Sequence, residues 1–285
     1  MDRRHFLGLL ATAAAGRVWA TPEPIRVGLT PVFLDDQVAF LNRWRDYLEL
    51  RLARPVEFVQ RGSYREIMDL LRGDKLDVAW VCGYPYVRNR RALRLMAVPL
   101  FNGRPLYQSY LIVPASDGVT RSLLDLRGKV FAFSDPDSNS GYLYPTYRLL
   151  QANERNDTFF GKSFFTWAHR KVVEAVAARV ANGGAVDSYV WETLARFHPT
   201  LTDKTRIVEK SPEFGHTPFG ARATLPRATF AAFQQSLLRM GDDPDGRALL
   251  GQLNLDGFVP GQEALFDGIE QMAKAVAAPR HARSA

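Results

Sequence analysis

One short polar segment of the sequence, Asp137-Ser-Asn-Ser-Gly141, combines residue types that can bind a small anion. It follows an apolar stretch with strand character and opens a predicted helix. The first N–H groups of a helix have no intrahelical acceptor, and the helix dipole places partial positive charge there. Ser138 and Ser140 add hydroxyl donors, and Gly141 allows a ligand to approach the backbone. The segment therefore predicts an oxyanion site, and the alternative is a serine N-cap that binds no ligand.

The single cysteine of the chain, Cys82, follows a strongly apolar predicted strand. One cysteine excludes an intramolecular disulfide. Because the carboxyl ends of strands line the ligand crevice of open α/β sheets, we expect Cys82 near a cleft. Two interpretations stay open: a small apolar side chain that fills space, or a thiol that coordinates a soft ligand.

The elements that must position these residues form an alternation of short apolar strands and amphipathic helices, which is typical of α/β folds. Predicted strands span residues 25–29, 56–59, 76–81, 95–100, 130–133, 164–167, 185–190, 205–208 and 217–223, and predicted helices include 64–71, 141–151, 171–181, 227–240, 244–253 and 261–277. This order predicts a chain that leaves a first lobe, builds a second and returns. Each lobe is expected to be a mixed, mostly parallel sheet flanked by helices. The expected boundaries are 21–109 plus 218–285 for lobe 1 and 110–217 for lobe 2.

The N-terminus has the composition of an export signal. Arg3 and Arg4 precede an apolar run, and Val18-Trp-Ala20 offers a small-residue cleavage site. The Arg-Arg-x-Phe-Leu order resembles a twin-arginine signal, and the apolar run is shorter than the roughly 20 residues that span a bilayer. We therefore expect a signal peptide over residues 1–20, cleaved near Ala20, and a periplasmic protein without stable membrane insertion.

The charge and the motif content limit the function classes. The net charge is +7, and loss of residues 1–20 removes three arginines and one aspartate, which leaves +5. That surplus suits an anionic ligand, whereas the dispersed basic residues argue against a nucleic-acid partner. The sequence contains no nucleophile elbow, no His-Glu-x-x-His helix and no histidines at metal-ligand spacing. We therefore expect neither an enzyme nor a bound cofactor.

Five landmarks of the sequence recur in the same order in a known family. They are the helix-and-strand unit from Tyr64 to Trp80, the turn Cys82-Gly-Tyr-Pro-Tyr86, the strand entry from Leu124 to Phe133, the Ser-x-Ser-Gly segment with its following aromatic, Leu and Pro residues, and the strand segment from Val186 to Glu192. Together they resemble the periplasmic phosphonate/phosphite/phosphate-binding proteins of ABC transporters. The resemblance implies a type II periplasmic binding fold with two lobes, two crossover strands and hinge closure on the ligand.

The resemblance also implies a set of ligand-binding residues. They are Tyr64, Cys82, Gly83, Tyr84, Ser138, Asn139, Ser140, Gly141, His169 and Asp187. Tyr64 matches a first-lobe tyrosine that contacts the anion, and its alternative role is packing at a helix start. His169 matches a second-lobe histidine, although a lone histidine there is also a common helix cap. Asp187 is expected either to accept a proton from a protonated ligand oxygen or to cap a helix. Asn139 departs from the threonine that is common in the family.

The function that the resemblance implies is capture of phosphonate, phosphite or phosphate by a monomeric periplasmic protein for an ABC importer. The expected protein partner is the permease of that importer. The alternative is a periplasmic oxyanion sensor of the arsenite type, which would act through Cys82 and signal to a membrane histidine kinase.

Overall fold

The computed structural model describes residues 23–30 and 38–278. The predicted signal peptide and its cleavage near Ala20 lie outside the described residues. Thirteen strands and eleven α-helices alternate in the described part, which confirms the α/β class. Every helix in these ranges is too short or too polar to span a bilayer.

The secondary structure elements are numbered in chain order. The strands are β1 (Ile25–Leu29), β2 (Val56–Gln60), β3 (Val78–Trp80), β4 (Leu93–Leu100), β5 (Leu106–Tyr107), β6 (Ser109–Pro114), β7 (Val130–Phe133), β8 (Lys162–Phe165), β9 (Gly183–Asp187), β10 (Thr205–Lys210), β11 (Phe214–Gly215), β12 (Phe219–Arg222) and β13 (Gly257–Pro260). The helices are α1 (Val38–Leu52), α2 (Tyr64–Arg72), α3 (Gly83–Arg88), α4 (Tyr144–Gln151), α5 (Asn156–Phe159), α6 (His169–Ala177), α7 (Ser188–Phe197), α8 (Pro199–Thr202), α9 (Arg227–Leu238), α10 (Pro244–Leu253) and α11 (Asp267–Ala277). A π-helical turn (Asn139–Leu143) precedes α4.

Two sheets define the two lobes. The first lobe contains the order β13-β4-β12-β3-β1-β2, and the second contains β10-β6-β9-β7-β8. Only β1–β2, β1–β3, β7–β8 and β7–β9 are parallel among the strand pairs of these two sheets in the described residues. The prediction of mostly parallel sheets is therefore wrong. The antiparallel pairs all involve β6, β12 or β13, of which β6 and β12 enter their sheets directly from the crossovers and β13 lies at the edge of the first sheet.

The two predicted crossover strands are confirmed. They are β5 and β11, which pair antiparallel with each other and stand apart from both large sheets. Phe214 lies opposite Tyr107, and Gly215 lies opposite Leu106. The chain therefore passes between the lobes at one place, and that place forms the base of the cleft between them.

Each sheet has buried apolar side chains on both faces. Trp44 and Ile67 belong to the two clusters of the first lobe, and Val172 and Phe131 belong to those of the second. Full burial of an aliphatic or aromatic side chain contributes about 1.5–3 kcal/mol relative to its exposure. Each lobe therefore has an apolar core, and the cluster that contains Ile67 extends into the second lobe through Leu143 and Tyr144.

Two predicted strands end earlier than expected, and both ends lie at the cleft. The predicted strand 185–190 stops at Asp187, because the Asp187 carboxylate accepts a hydrogen bond from the Tyr189 N–H at 2.9 Å and starts α7. The predicted strand 164–167 stops at Phe165, since Trp167 has a left-handed backbone with φ of 65°. Both changes in direction bring polar residues to the cleft.

Candidate functional site

The segment Asp137–Gly141, called the anion loop below, follows β7 and includes the first three residues of the π-helical turn. The Ser138 hydroxyl accepts a hydrogen bond from the Gly141 N–H at 3.0 Å and caps this turn. Ser138, Asn139 and Ser140 are each 0 % exposed. The serine N-cap, which was the alternative to an anion site in the sequence interpretation, is therefore present. Because it is buried where the two lobes meet, the capping hydroxyl can also contact a ligand bound there.

The buried Ser140 hydroxyl lies beside the Tyr107 hydroxyl but makes no hydrogen bond of normal geometry with any described residue. Its backbone carbonyl accepts a hydrogen bond from the Ser109 hydroxyl at 2.7 Å, which fixes the loop against β6. An unpaired polar group in the interior costs about 1–3 kcal/mol. The Ser140 hydroxyl is therefore available for an acceptor oxygen that a ligand would supply.

His169 begins α6 and connects two other predicted site residues. Its Nδ1 accepts a hydrogen bond from the Asp187 N–H at 3.1 Å, and its Nε2 lies 3.3 Å from the Ser138 Oγ. Burial lowers the pKa of His169 to about 3, so the ring is neutral at pH 7. Because Nδ1 must accept, the single ring proton is on Nε2, and His169 donates to Ser138.

The hydrogen bonds of Ser138 determine what its hydroxyl can offer. Its oxygen accepts one hydrogen bond from the Gly141 N–H and one from the His169 Nε2–H. A hydroxyl has two acceptor positions and one donor. With both acceptor positions occupied, the remaining interaction of Ser138 is donation of its own proton. His169 therefore leaves the Ser138 hydroxyl as a hydrogen-bond donor, and an anion needs donors because its oxygens accept hydrogen bonds.

Asp187 has the helix-capping role, one of the two expected from the sequence. Its side chain is 1 % exposed and holds the N-terminus of α7. Burial raises the pKa of Asp187 to about 7. Acceptance of a ligand proton by Asp187 stays a prediction.

The neutral His169 makes the protein sensitive to acid in a way that a variant can test. Its folded pKa of about 3 lies below the roughly 6.5 of an unfolded histidine, so the unfolded chain binds the proton first and stability falls below pH 6.5. His216 lowers the stability in acid in the same way, whereas the raised pKa of Asp187 increases the stability as the pH falls from 7 to about 4.

His169→Gln tests this dependence on pH, because glutamine keeps a donor and an acceptor but does not titrate. The slope of unfolding free energy against pH, measured by urea denaturation between pH 6 and 4, should fall by about 1.4 kcal/mol per pH unit. An unchanged slope would show that His169 is protonated in the folded protein.

Cys82 lies on the first lobe and contacts the anion loop of the second. Its Sγ accepts a hydrogen bond from the Asn139 N–H at 3.3 Å. The Asn139 side-chain amide donates to the Tyr107 hydroxyl at 2.9 Å. Burial raises the pKa of Cys82 to about 11, so the thiol is protonated and uncharged. Cys82 therefore connects the two lobes at the site through this hydrogen bond and carries no charge.

Tyr64, the first residue of α2, also lies between the lobes. Its backbone N–H donates to the Asp135 carboxylate at 3.1 Å, and its side chain is 2 % exposed. Burial raises the pKa of the phenol well above its usual value, and the Asp135 and Asp187 carboxylates raise it further. The sequence interpretation did not include Asp135, although a carboxylate two residues after the buried β7 was visible in the sequence.

The remaining predicted residues, Gly83 and Tyr84, lie in the turn at the start of α3. A Cβ on Gly83 would approach the Ile269 Cδ1 to 2.6 Å, so close packing against α11 accounts for this glycine. Tyr84 is half-buried, and the Arg88 guanidinium lies 5.4 Å from its ring centre. The structure thus places Gly83 against a helix and Tyr84 below an arginine, and their contact with ligand stays a prediction.

Ion pairs close the rim of the cleft. The Arg88 Nη1 lies 2.8 Å from the Asp137 Oδ1, and the Arg65 Nε lies 3.8 Å from the Asp137 Oδ2. Both arginines belong to the first lobe, and Asp137 belongs to the second. The lobes are therefore in contact at the rim and, through Tyr64 and Cys82, in the interior.

The donors at this site are hydroxyls, amides and neutral rings. Within residues 23–30 and 38–278, no group of three or more His, Cys, Asp or Glu is arranged to hold a metal ion. Buried neutral donors next to the first turn of a helix bind anions without a formal countercharge. The arrangement can therefore hold a small oxyanion through hydrogen bonds.

Comparison with known proteins identifies the family. Residues 27–266 match the family described as "ABC transporter, phosphonate, periplasmic substrate-binding protein". The chain belongs to this family. Two relatives agree with this assignment. The phosphate-import protein PhnD of Mycolicibacterium smegmatis is 29% identical over 171 residues, which are 56% of this chain and 50% of that protein. The probable ABC transporter phosphite binding protein PhnD1 of Prochlorococcus marinus is 22% identical over 287 residues, which are 95% of this chain and 97% of that protein.

Solved structures show the fold of the phosphonate-binding family in this chain. A binding protein component of an ABC phosphonate transporter from Pseudomonas aeruginosa superposes with a TM-score of 0.82 at 21% identity, covering 90% of this chain and 87% of that one. PhnD1 from Prochlorococcus marinus in complex with methylphosphonate superposes with a TM-score of 0.81 at 20% identity, covering 89% and 98%. The predicted two-lobed type II periplasmic binding fold is confirmed.

Proposed function

We propose that this member of the phosphonate-binding family captures a small phosphorus oxyanion (phosphonate, phosphite or phosphate) and delivers it to an ABC importer. The observation that carries the proposal is the fully buried Ser140 hydroxyl, which makes no hydrogen bond of normal geometry within residues 23–30 and 38–278, next to Ser138, whose own proton is free to donate. Hydrogen bonds from such donors to a charged oxygen are stronger than those between neutral groups. Relatives named for phosphate import and phosphite binding support this ligand class.

In the proposed binding mode, the hydroxyls of the anion loop are the main donors. The N–H groups of Asn139 and Gly141 already donate to Cys82 and Ser138, so Ser138 and Ser140 contribute through their side chains. Tyr64 and the turn from Cys82 to Tyr84 complete the site from the first lobe, and His169 and Asp187 support it from the second. The proposed lobe boundaries are 21–109 plus 218–285 and 110–217.

Closure of the lobes should depend modestly on the ion pair between Arg88 and Asp137. Their side chains are 53% and 10% exposed, and pairs with one exposed partner contribute only up to about 1 kcal/mol. Arg88→Gln is therefore expected to weaken ligand binding about 2- to 5-fold, mainly through faster dissociation, in stopped-flow experiments at low salt. Arg72→Gln is the matched control, since Arg72 pairs with Asp69 inside the first lobe. Equal effects of the two substitutions would contradict a role of Arg88 in closure.

The proposal places the protein in the periplasm, with the importer permease as its partner, and gives it a binding rather than an enzymatic role. The arsenite-type sensor has less support. A thiolate, not a thiol, coordinates soft ligands, and burial raises the pKa of Cys82 to about 11. The relatives named above are transport or binding components.

Isothermal titration calorimetry with a panel of anions tests the proposal. The panel is methylphosphonate, phosphite, phosphate, sulfate and arsenite, each titrated into the protein without its first 20 residues. We expect the tightest binding with one of the three phosphorus oxyanions. If arsenite is the only anion that binds, and Cys82→Ser abolishes this binding, the sensor function would replace the transport function as the proposal. Binding of sulfate alone or of no member of the panel would contradict the ligand class.

A further inference from the structure

Asp135 belongs to the second lobe, but its carboxylate contacts a helix of the first. It lies two residues after β7 and is 2 % exposed. Its Oδ2 accepts a hydrogen bond from the backbone N–H of Tyr64, the first residue of α2, at 3.1 Å. The two residues are 71 positions apart in the chain, and the contact crosses the junction between the lobes. The proposed binding mode gives Asp135 no role.

The N-terminus of α2 receives acceptors from both lobes. The first N–H groups of a helix have no acceptor within the helix itself. At α2, the Ser63 hydroxyl accepts a hydrogen bond from the Glu66 N–H at 3.3 Å. The Tyr64 N–H donates instead to Asp135 of the second lobe. Because the helix dipole places partial positive charge at this end, a carboxylate there stabilises the contact. The second lobe thus caps a helix of the first.

The beginning of the anion loop fixes the Asp135 side chain from the other direction. Its Oδ1 accepts a hydrogen bond from the Asp137 N–H at 2.7 Å, and its backbone carbonyl accepts one from the Ser138 N–H at 2.9 Å. Pro136 lies between them, and its ring fixes the backbone φ at a position where turns favour proline after aspartate. The turn that positions Ser138 therefore also orients the Asp135 carboxylate.

The contacts of Asp135 differ in whether they depend on closure of the lobes. Those with Asp137 and Ser138 lie within the second lobe and persist when the lobes separate as rigid bodies. The contact with the Tyr64 N–H joins the two lobes and is lost on opening. Burial raises the pKa of Asp135, and the N–H groups of Asp137 and Tyr64 oppose that rise. The hydrogen bond to Tyr64 therefore favours the closed form specifically.

We propose that Asp135 is a positioning residue for ligand binding, which holds the lobes closed over the oxyanion by capping α2 across the cleft. The inference rests on the proposed function and adds a contact between the lobes that does not involve the ligand. Through this one side chain, Tyr64 of the first lobe and Ser138 of the second take fixed relative positions. A contact made only in the closed form shifts the equilibrium toward that form and so slows dissociation of the ligand.

The test compares Asp135→Asn with the wild type by calorimetry and stopped-flow kinetics against methylphosphonate, phosphite and phosphate. Asparagine keeps the shape of the side chain but has one acceptor oxygen in place of two and carries no charge. The affinity for the tightest-binding of the three anions should therefore fall about 10-fold. The loss should appear as faster dissociation, with the association rate within about 2-fold of the wild type, because the contact forms only after the lobes close.

Asp77→Asn is the matched control. Asp77 is also buried, but it accepts hydrogen bonds from the Arg26 N–H at 2.9 Å and from the Arg222 Nε at 3.0 Å, both within the first lobe. Its replacement should lower stability in urea unfolding and leave both binding rates unchanged. A wild-type dissociation rate in Asp135→Asn would overturn the inference and leave the proposed function intact. Failure of the wild type to bind any of the three anions would instead remove the proposed function, and this inference with it.

A second measurement does not depend on the folding of a variant. The Tyr64 amide is the first of α2 and has no acceptor within its own helix, so its hydrogen exchange reports the contact with Asp135. In the wild type, NMR should show this amide exchanging at least about 10-fold more slowly when the tightest-binding anion is saturating. Exchange that is unchanged by an anion shown to bind by calorimetry would overturn the inference.

Discussion

Replacement of Ser138 and Ser140 together by alanine is expected to weaken binding of the preferred phosphorus oxyanion by at least about 100-fold. Each hydroxyl donates one hydrogen bond to a charged oxygen, and each such bond contributes about 1.5–3 kcal/mol, or roughly 10-fold or more in affinity. Calorimetry of the double variant against the wild type measures the loss. The single variant Ser140→Ala should lose affinity without loss of stability, because the hydroxyl has no partner within the described chain.

The control for this experiment is Ser236→Ala. Ser236 is also buried, but its hydroxyl donates to the Phe233 carbonyl within α9 at 2.7 Å, in the first lobe and apart from the anion loop. Its replacement should cost some stability and leave the affinity unchanged. A double serine variant that binds as tightly as the wild type would contradict the assignment of the anion loop as the ligand site.

Gly141→Ala is expected to lower both stability and affinity. A Cβ at this position would lie 1.9 Å from the Ser134 Oγ, 2.7 Å from the Ser134 Cβ and 3.1 Å from the His169 Cε1. Rotation of the Ser134 hydroxyl relieves the first contact only, so the loop itself must move. Overpacking of this kind costs about 1–3 kcal/mol, and displacement of the two serine donors should weaken ligand binding about 10- to 100-fold. Urea unfolding and calorimetry measure the two effects.

Gly251→Ala provides the matched comparison. Gly251 lies in α10, and an added Cβ would meet nothing within 4 Å. Alanine favours a helix interior over glycine by about 1 kcal/mol, so this variant should be at least as stable as the wild type and should bind normally. If Gly141→Ala behaves like Gly251→Ala, the close packing of the anion loop against Ser134 is not needed for binding.

The sequence contained enough local information to predict the position of the anion loop. The buried β7, the serines and Gly141 are consecutive, and the cap that Ser138 forms is a contact over three residues. The same holds for most strands and helices, since their apolar periodicity is local. The two-lobed fold followed from the ordered landmarks, because a family resemblance carries long-range information that periodicity lacks.

What the sequence could not provide are contacts between distant segments. The partner of the Tyr64 N–H is Asp135, 71 residues away, and only the folded lobes show it. The directions of β6 and β12 depend on the crossovers, which are two residues each and leave no periodic signal.

A crystal structure of the protein with methylphosphonate tests the central claim most directly. The account predicts the phosphorus between the two lobes, with one ligand oxygen about 2.5–3.0 Å from the Ser140 Oγ and another at the same distance from the Ser138 Oγ. A ligand bound outside the cleft, or bound in it without contact to either serine, would contradict the account.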